Sequence, residues 1–371
     1  MRGRSFRPEV LTLEDRVVPS TLEFIQNIGV NTNFTSSTTS LSITVPTGAS
    51  VAKGHAIIVE LSRAPKAGTV SATDTAGNVY HVDQDVLNQA TGSPNQGVRT
   101  VILSSEGVSP LASGNTITVT FPAVKAKAIS AAEFCGIDAV SPVDVTKQGK
   151  GSSSGGAVST AGTAVTSHAN DLLIGAVGVQ GFLDGSQPST AGFLPGAGYT
   201  PLAFTGTPSG NSGNHNVTLF PEYKIVSSTG NYQADGTLTT NAGGQWAAAL
   251  VAYKADALTH FDVTAPATVS GGVPFSVTIT AKDASNATVP GYTGTLHFTV
   301  TNFTTGEVLP VDYTFTSGSG LDNGSHTCTG VILNTAGSRT ITVTNECGGE
   351  TGSTNVTARP ALGLASPRVR P

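Results

Sequence analysis

Short runs of alternating apolar and polar residues dominate this chain. Leu41-Ser42-Ile43-Thr44-Val45 alternates until Pro46 stops it, the period of a half-buried strand. Ala56 to Leu61 is more continuously apolar, as in a strand covered on both faces. Val70 to Val82 reads as a hairpin around Asp74-Thr75-Ala76-Gly77-Asn78, because Asp, Gly and Asn supply tight-turn chemistry. Val98–Leu103 and Asn115–Phe121 follow. Turn residues recur between strands about every 8–15 positions, the mark of a sandwich or barrel. Ala126 to Glu133 has helical propensity, yet Phe134-Cys135-Gly136-Ile137 continues it without a cap, so it is assigned as a strand. Residues 148–163, rich in Gly and Ser, read as a flexible loop or linker. Asp171–Val177 resumes as a core strand, 181–214 as long surface loops, and Thr218–Val226 and Gln245–Tyr253 as strands.

A second β unit is expected after a short joint at 255–258. Its candidate strands are His260–Val263, Pro274–Ala281, Gly294–Val300, Asp312–Thr316, His326–Leu333 and Arg339–Asn345. That spacing suits a seven-strand sandwich of about 100 residues. The expected division is 1–21, a disordered arm; 22–254, a first sandwich; 255–358, a second; and 359–371, a disordered tail.

Composition supports an all-β reading. Among 371 residues, 12% are charged and 38% hydrophobic, and there are 44 glycines. The net charge is only −5, so the polar residues are neutral and the chain can collapse, unlike a charged disordered polymer. That balance argues against a surface that tracks nucleic-acid phosphates. No run of about 18 apolar residues predicts a membrane span. The only methionine is Met1, so the cores must be built from Val, Ile, Leu, Phe and Ala.

Three cysteines, Cys135, Cys328 and Cys347, leave at least one thiol free within a single chain. If 326–333 and 339–346 form a hairpin with Leu333 opposite Arg339, Cys328 faces Thr344. Cys347 is then three residues, about 10 Å, out of register and on the other face. A bridge between Cys328 and Cys347 would need a bulge or a bent strand end, since disulfides span Cα separations of about 4.4–6.8 Å. No CxxC or HxxxH spacing suggests zinc.

The lead carries Arg2, Arg4 and Arg7 without the apolar stretch of a secretory signal. "LEDRVVPST", with Leu13, Glu14, Asp15, Arg16, Pro19 and Ser20, resembles a short N-terminal sorting-type motif of planctomycete extracellular proteins. The resemblance implies an envelope, surface or secreted destination. Residues 258–358 resemble bacterial immunoglobulin-like, filamin-related repeats of surface proteins, through "HFDVTAPATVSGGVPFSVTITAKDASNATVPGYTGTLHFT", "LPVDYTFT" and "DNGSHTCTGVILNTAGSRTITVT". In such domains D-x-G-x-Y-x-C leads into strand F. Asp322, Gly324, His326 and Cys328 fit that run with His326 in the Tyr place, while Phe275-Ser-Val277-Thr-Ile279 lacks the partner cysteine. Residues 22–254 loosely resemble jelly-roll or lectin-like modules through "TDTAGNVYHV" and "QWAAALVAYK".

Candidate chemistry is sparse. Gly151-Ser152-Ser153-Ser154-Gly155 matches G-x-S-x-G but lies in a Gly/Ser tract, not at the strand-to-helix turn that a nucleophile elbow needs. The histidines, His55, His81, His168, His215, His260, His297 and His326, show no metal spacing and read as surface or hydrogen-bonding residues. Glu133, among apolar neighbours, reads as an outward or paired carboxylate, or else a perturbed acid. Trp246 reads as core. Tyr80 and the 181–214 loops are better binding surfaces. Asp74, Asp83, Asp85 and Asp283 near turns could bind Ca²⁺, but no D-x-D-x-D spacing supports this.

The expectation is therefore a non-enzymatic surface or secreted protein with an adhesive or structural role. The first sandwich would present a ligand surface to extracellular polysaccharide or envelope proteins, and the second would act as a spacer. No cofactor, metal or catalytic residue is assigned. One alternative is a carbohydrate-binding module, with Phe182, Phe193, Tyr199 and Phe204 as its exposed aromatics. A hydrolase is another, and requires clustered carboxylates.

Overall fold

The computed structural model describes residues 22–93, 96–160, 165–180, 192–207 and 216–360. The sorting-type lead, Phe182, His215 and all but the first two residues of the 359–371 tail lie outside them. Among the described residues, the first unit contributes fifteen strands: β1 (Glu23–Asn33), β2 (Thr38–Thr44), β3 (Ala56–Arg63), β4 (Ser71–Asp74), β5 (His81–Gln89), β6 (Gly97–Ser105), β7 (Thr116–Val124), β8 (Lys127–Cys135), β9 (Val143–Ser159), β10 (Asn170–Gln180), β11 (Phe193–Pro195), β12 (Thr200–Pro201), β13 (Thr205–Gly206), β14 (Val217–Ser227) and β15 (Asp235–Lys254). The second contributes β16 (His260–Thr264), β17 (Thr268–Ser270), β18 (Phe275–Lys282), β19 (Thr295–Val300), β20 (Tyr313–Thr314), β21 (Ser325–Val331), β22 (Gly337–Asn345) and β23 (Thr351–Arg359).

The chain is all-β and sandwich-like, as its periodicity predicts. The first unit goes beyond a two-sheet sandwich: it stacks three sheets. A central sheet runs β1-β8-β3-β6-β5, a small outer sheet runs β2-β7-β4, and a large outer sheet runs β11-β15-β10-β14-β12, with β9 on β15 and β13 on β14. Every residue of β3, β6 and β8 is buried. Alternate side chains serve opposite cores. Ile57, Val59 and Leu61 pack with Leu41, Ile43, Ile117 and Val119 of the small sheet. Ala56 and Ile58 pack with Leu172, Ile174, Ala249 and Val251 of the large one. The 126–133 segment is indeed a strand, β8, because both of its faces are covered and propensity yields to packing.

Four expectations need correction. The 148–163 tract is no linker: most of it lies in β9, a 17-residue strand paired along β15. Its glycines let neighbours approach. A Cβ on Gly151 would lie 2.6 Å from the Trp246 ring, and one on Gly149 1.9 Å from the Ser159 carbonyl. The described part of 181–214 holds β11, β12 and β13, with Phe193 and Leu202 buried, instead of open loops. The 70–82 stretch is no hairpin: β4 pairs with β7 in the small sheet and β5 with β6 in the central one. The same is true of β21 and β22, which lie in different sheets. In both places the turn reverses the chain but passes it across the core, which turn composition cannot distinguish from a hairpin.

In the second unit β16-β18-β21 faces β17-β23-β22-β19-β20 around Val277, Ile279, Tyr292, Phe298, Phe315, Ile341 and Val343. This is the pairing order of an immunoglobulin-type sandwich, with β18, β21 and β22 in the places of strands B, E and F. The Asp322–Cys328 run therefore leads into the strand E position, not strand F. His326 bonds through Nδ1 to Asp322 Oδ1 at 2.8 Å and stacks on Tyr313 at 3.6 Å between ring centroids. Its partner is thus a carboxylate, not backbone.

Candidate functional site

The residues with the most distinctive chemistry gather where the two units meet. Cys135 closes β8, and Cys347 lies in the 346–349 turn after β22. Gly348 and Gly349 in that turn have φ of +83° and +76°, which side-chain-bearing residues rarely adopt. The two cysteines form a disulfide with Cα atoms 6.2 Å apart, across a sequence separation of 212. Cys328 is the buried free thiol. Cys347 thus pairs with the other unit and not with its sequence neighbour. Around the bridge, Thr293 Oγ1 donates to the Gly54 carbonyl at 3.1 Å. A Cβ at Gly54 would lie 2.0 Å from the Thr293 carbonyl oxygen. The connecting chain is also pinned, by Asp256 N to Gly136 O at 2.8 Å and an Ile137–Ala255 bridge.

Two residues before Cys135, and so on the same strand face, Glu133 is 1% exposed. It accepts hydrogen bonds from Gln26 Nε2 (2.6 Å) and the Ala52 amide (2.8 Å), and pairs with His55 Nδ1 (2.7 Å). Burial pushes its pKa up, but the bonds from His55, Gln26 and Ala52 outweigh that and hold the carboxyl below the ordinary range. Glu133 is a paired carboxylate, with a histidine as partner. It fixes the 52–55 turn that meets Thr293.

A second acidic group lies nearby. The buried Tyr253 hydroxyl donates to Asp83 Oδ2 at 2.6 Å. Burial lifts Glu106 to about 7, and the Asp83 and Asp138 charges add to the rise against hydrogen bonding from Ser104. Burial also raises Asp83, against bonds from Tyr253 and Ser104 and the charge of His81. Glu106 can therefore hold a proton near neutrality, which suits proton transfer.

The other singled-out residues are mostly absorbed by structure. Phe193 stacks on Phe220 (5.0 Å) and Phe204 does so at 6.0 Å, so these aromatics turn inward. Tyr199 lies under Lys224 Nζ at 5.7 Å. Trp246 is half-buried over Gly151. Asp74 accepts from the Ala76 and Asn78 amides and from the Tyr80 hydroxyl. Asp283 accepts from the Ser285 and Ala287 amides, and Asp85 pairs with Arg99. Gly151–Gly155 lies inside β9, so it forms no nucleophile elbow. His297 pairs with Asp312 at 2.7 Å, and His260 Nδ1 lies 2.9 Å from Thr259 Oγ1. His168 stands with Asp144 and Asp171, a meeting that no local spacing announces.

No family model and no curated protein matches the chain. Among solved structures, similarity is found to a Corynebacterium diphtheriae protein described as membrane anchored, at 13% identity over 86% of this chain and 61% of that one, with a TM-score of 0.21. The chain thus spans less than two thirds of that protein. Among the described residues, no helix is long and apolar enough to cross a membrane.

Proposed function

We propose that this chain is a structural or adhesive protein of the cell exterior, built as two β bodies held in a fixed relation. The Cys135–Cys347 bridge carries this reading. Structural disulfides persist in oxidising compartments and are rare in reducing cytosol, and this one joins units instead of stapling a small core. The three-layer unit presents surface to an envelope protein or an extracellular polysaccharide, and the two-layer unit spaces it. The inward aromatics of β11–β14 weaken the carbohydrate-binding alternative. The test is thiol counting on protein recovered from native cells, alkylated under denaturing, non-reducing conditions. One reactive thiol, Cys328, is expected; three would overturn the reading.

A hydrolase reading draws on one observation, the Asp83–Glu106–Tyr253 group. It predicts turnover on a glycoside or ester panel that Glu106→Gln abolishes. Absence of turnover by the wild type removes it.

A further inference from the structure

At the end of the large outer sheet, on β9, β10 and the segment that joins them, three potential ligands converge. One ring nitrogen of His168 and one carboxylate oxygen each of Asp144 and Asp171 lie within 4.8 Å of one another. The backbone arranges this. β9 pairs with β15 through Val143–Tyr253 and Val145–Ala252, so Asp144 is the extra residue of a bulge, a device that re-aims a side chain. Asp171 sits on β10 opposite Lys254.

Asp144 is held in place. The Ser167 amide donates to its Oδ2 at 2.6 Å, and the Ser167 hydroxyl bonds to its Oδ1. The same hydroxyl lies 2.9 Å from His168 Nδ1. Ser167 thus orients two of the three groups, as second-layer partners of metal ligands do. Asp171 is different: it is 0% exposed, and neither carboxylate oxygen has a hydrogen-bond partner. Lys254, opposite it on β15, bonds elsewhere: its Nζ donates to Ser141 Oγ at 3.0 Å and makes no bond to either Asp171 oxygen. A buried carboxylate with two unmet oxygens is costly, and a second carboxylate beside it adds repulsion.

Either a proton or a cation must join Asp144 to Asp171. A shared proton gives one donor and leaves oxygens unmet. It also leaves the His168 imidazole paired with Asp144 alone, Nδ1 to Oδ1 at 3.5 Å, with nothing to engage Asp171. We propose that Asp144, His168 and Asp171 form a binding site for a divalent transition-metal ion of the zinc class, with one position open to solvent. One imidazole and two carboxylates suit Zn²⁺, which takes four ligands of this kind. Ca²⁺ would want six to eight oxygens. The His168 side chain is 54% exposed against 5% for Asp144, so an ion can enter past the imidazole and keep a water there. The site tethers β9 and β10 to the 166–168 segment, and it stands independently of the surface-protein reading.

The test uses the full chain, stripped with EDTA and titrated with ZnCl₂ by calorimetry, with bound metal counted by elemental analysis. One equivalent of Zn²⁺ is expected. Asp171→Asn and His168→Gln should each weaken binding about tenfold or more with an unchanged circular dichroism spectrum. His168→Gln alters a half-exposed side chain, so it reports even if Asp171→Asn misfolds. Lack of saturable binding, binding that survives His168→Gln undiminished, or Ca²⁺ binding tighter than Zn²⁺ would each overturn the proposal.

Discussion

The central sheet of the first unit and the sheets of the second solve the same burial problem in opposite ways. β3, β6 and β8 are covered on both faces, and every residue is inside. β22 alternates: Arg339, Ile341, Val343 and Asn345 are buried, with half-buried residues between. A sheet with one wet face needs apolar side chains at every second position. A sheet between two others has no face for its polar residues, so each must find a partner in a neighbouring layer. Thr100 Oγ1 donates to the Ala247 carbonyl at 2.9 Å, and Ser130 Oγ to the Ala203 carbonyl at 2.7 Å. Where no donor is at hand, burial disfavours the charged form: it drives the Glu60 carboxyl well above the ordinary range.

The largest test concerns the coupling of the two architectures. Replacing both Cys135 and Cys347 by Ser should remove about 5 kcal/mol of chain-entropy stabilisation for a loop of 212 residues. Calorimetry should then resolve two melting transitions where the bridged protein shows one. Next, Ile58→Ala and Ile341→Ala compare like residues, both 0% exposed. Each should cost about 2–5 kcal/mol, with Ile58 at the upper end because layers on both sides resist collapse. Equal losses in urea denaturation would break the comparison.

Acidity sharpens the comparison at the junction. Glu106, lifted to about 7, holds a proton in the folded state that the unfolded chain releases near pH 4.5. Stability therefore falls as pH rises between these values. Glu106→Gln should gain on the wild type through that window, by up to about 3 kcal/mol above pH 7. Glu133 has the opposite sign. Its depressed pKa stabilises the fold at neutral pH, and that contribution is lost as pH falls through the folded-state value. Glu133→Gln should cost about 2 kcal/mol at pH 7 and less in acid. The smallest effect belongs to the wetter face of β22: Thr342→Ala should change stability by under about 0.5 kcal/mol, whereas Val59→Ala beside Ile58 should be costly.

Most of the strands were legible in the chain, because period-two alternation and unbroken apolar runs report directly on how many faces are covered. Ala126–Glu133 was readable once continuity outweighed helical propensity. What could not be read was partnership. Gly149 and Gly151 look like linker until Trp246 and Ser159 are placed against them. Asp74–Asn78 announces a reversal and says nothing of which sheet the chain joins next. The same blindness hid the candidate chemistry. Cys135 and Cys347, Glu133 and His55, and Asp144 and Asp171 are each brought together by pairing across sheets or units, so local spacing carries no trace of them.

The unpaired sulfur has a consequence for how the molecule matures. Cys328 precedes Cys347 in the order of synthesis, so an emerging chain offers Cys135 the wrong mate first. Opposite Val277 on β18, Cys328 is buried, and burial with the nearby Asp322 charge pushes its thiol to about 11. A thiol held so far from its reactive anion exchanges slowly. Closing the two-layer body therefore withdraws the competitor, so a chain whose later body folds before the bond is sealed offers Cys135 a single reactive mate, Cys347.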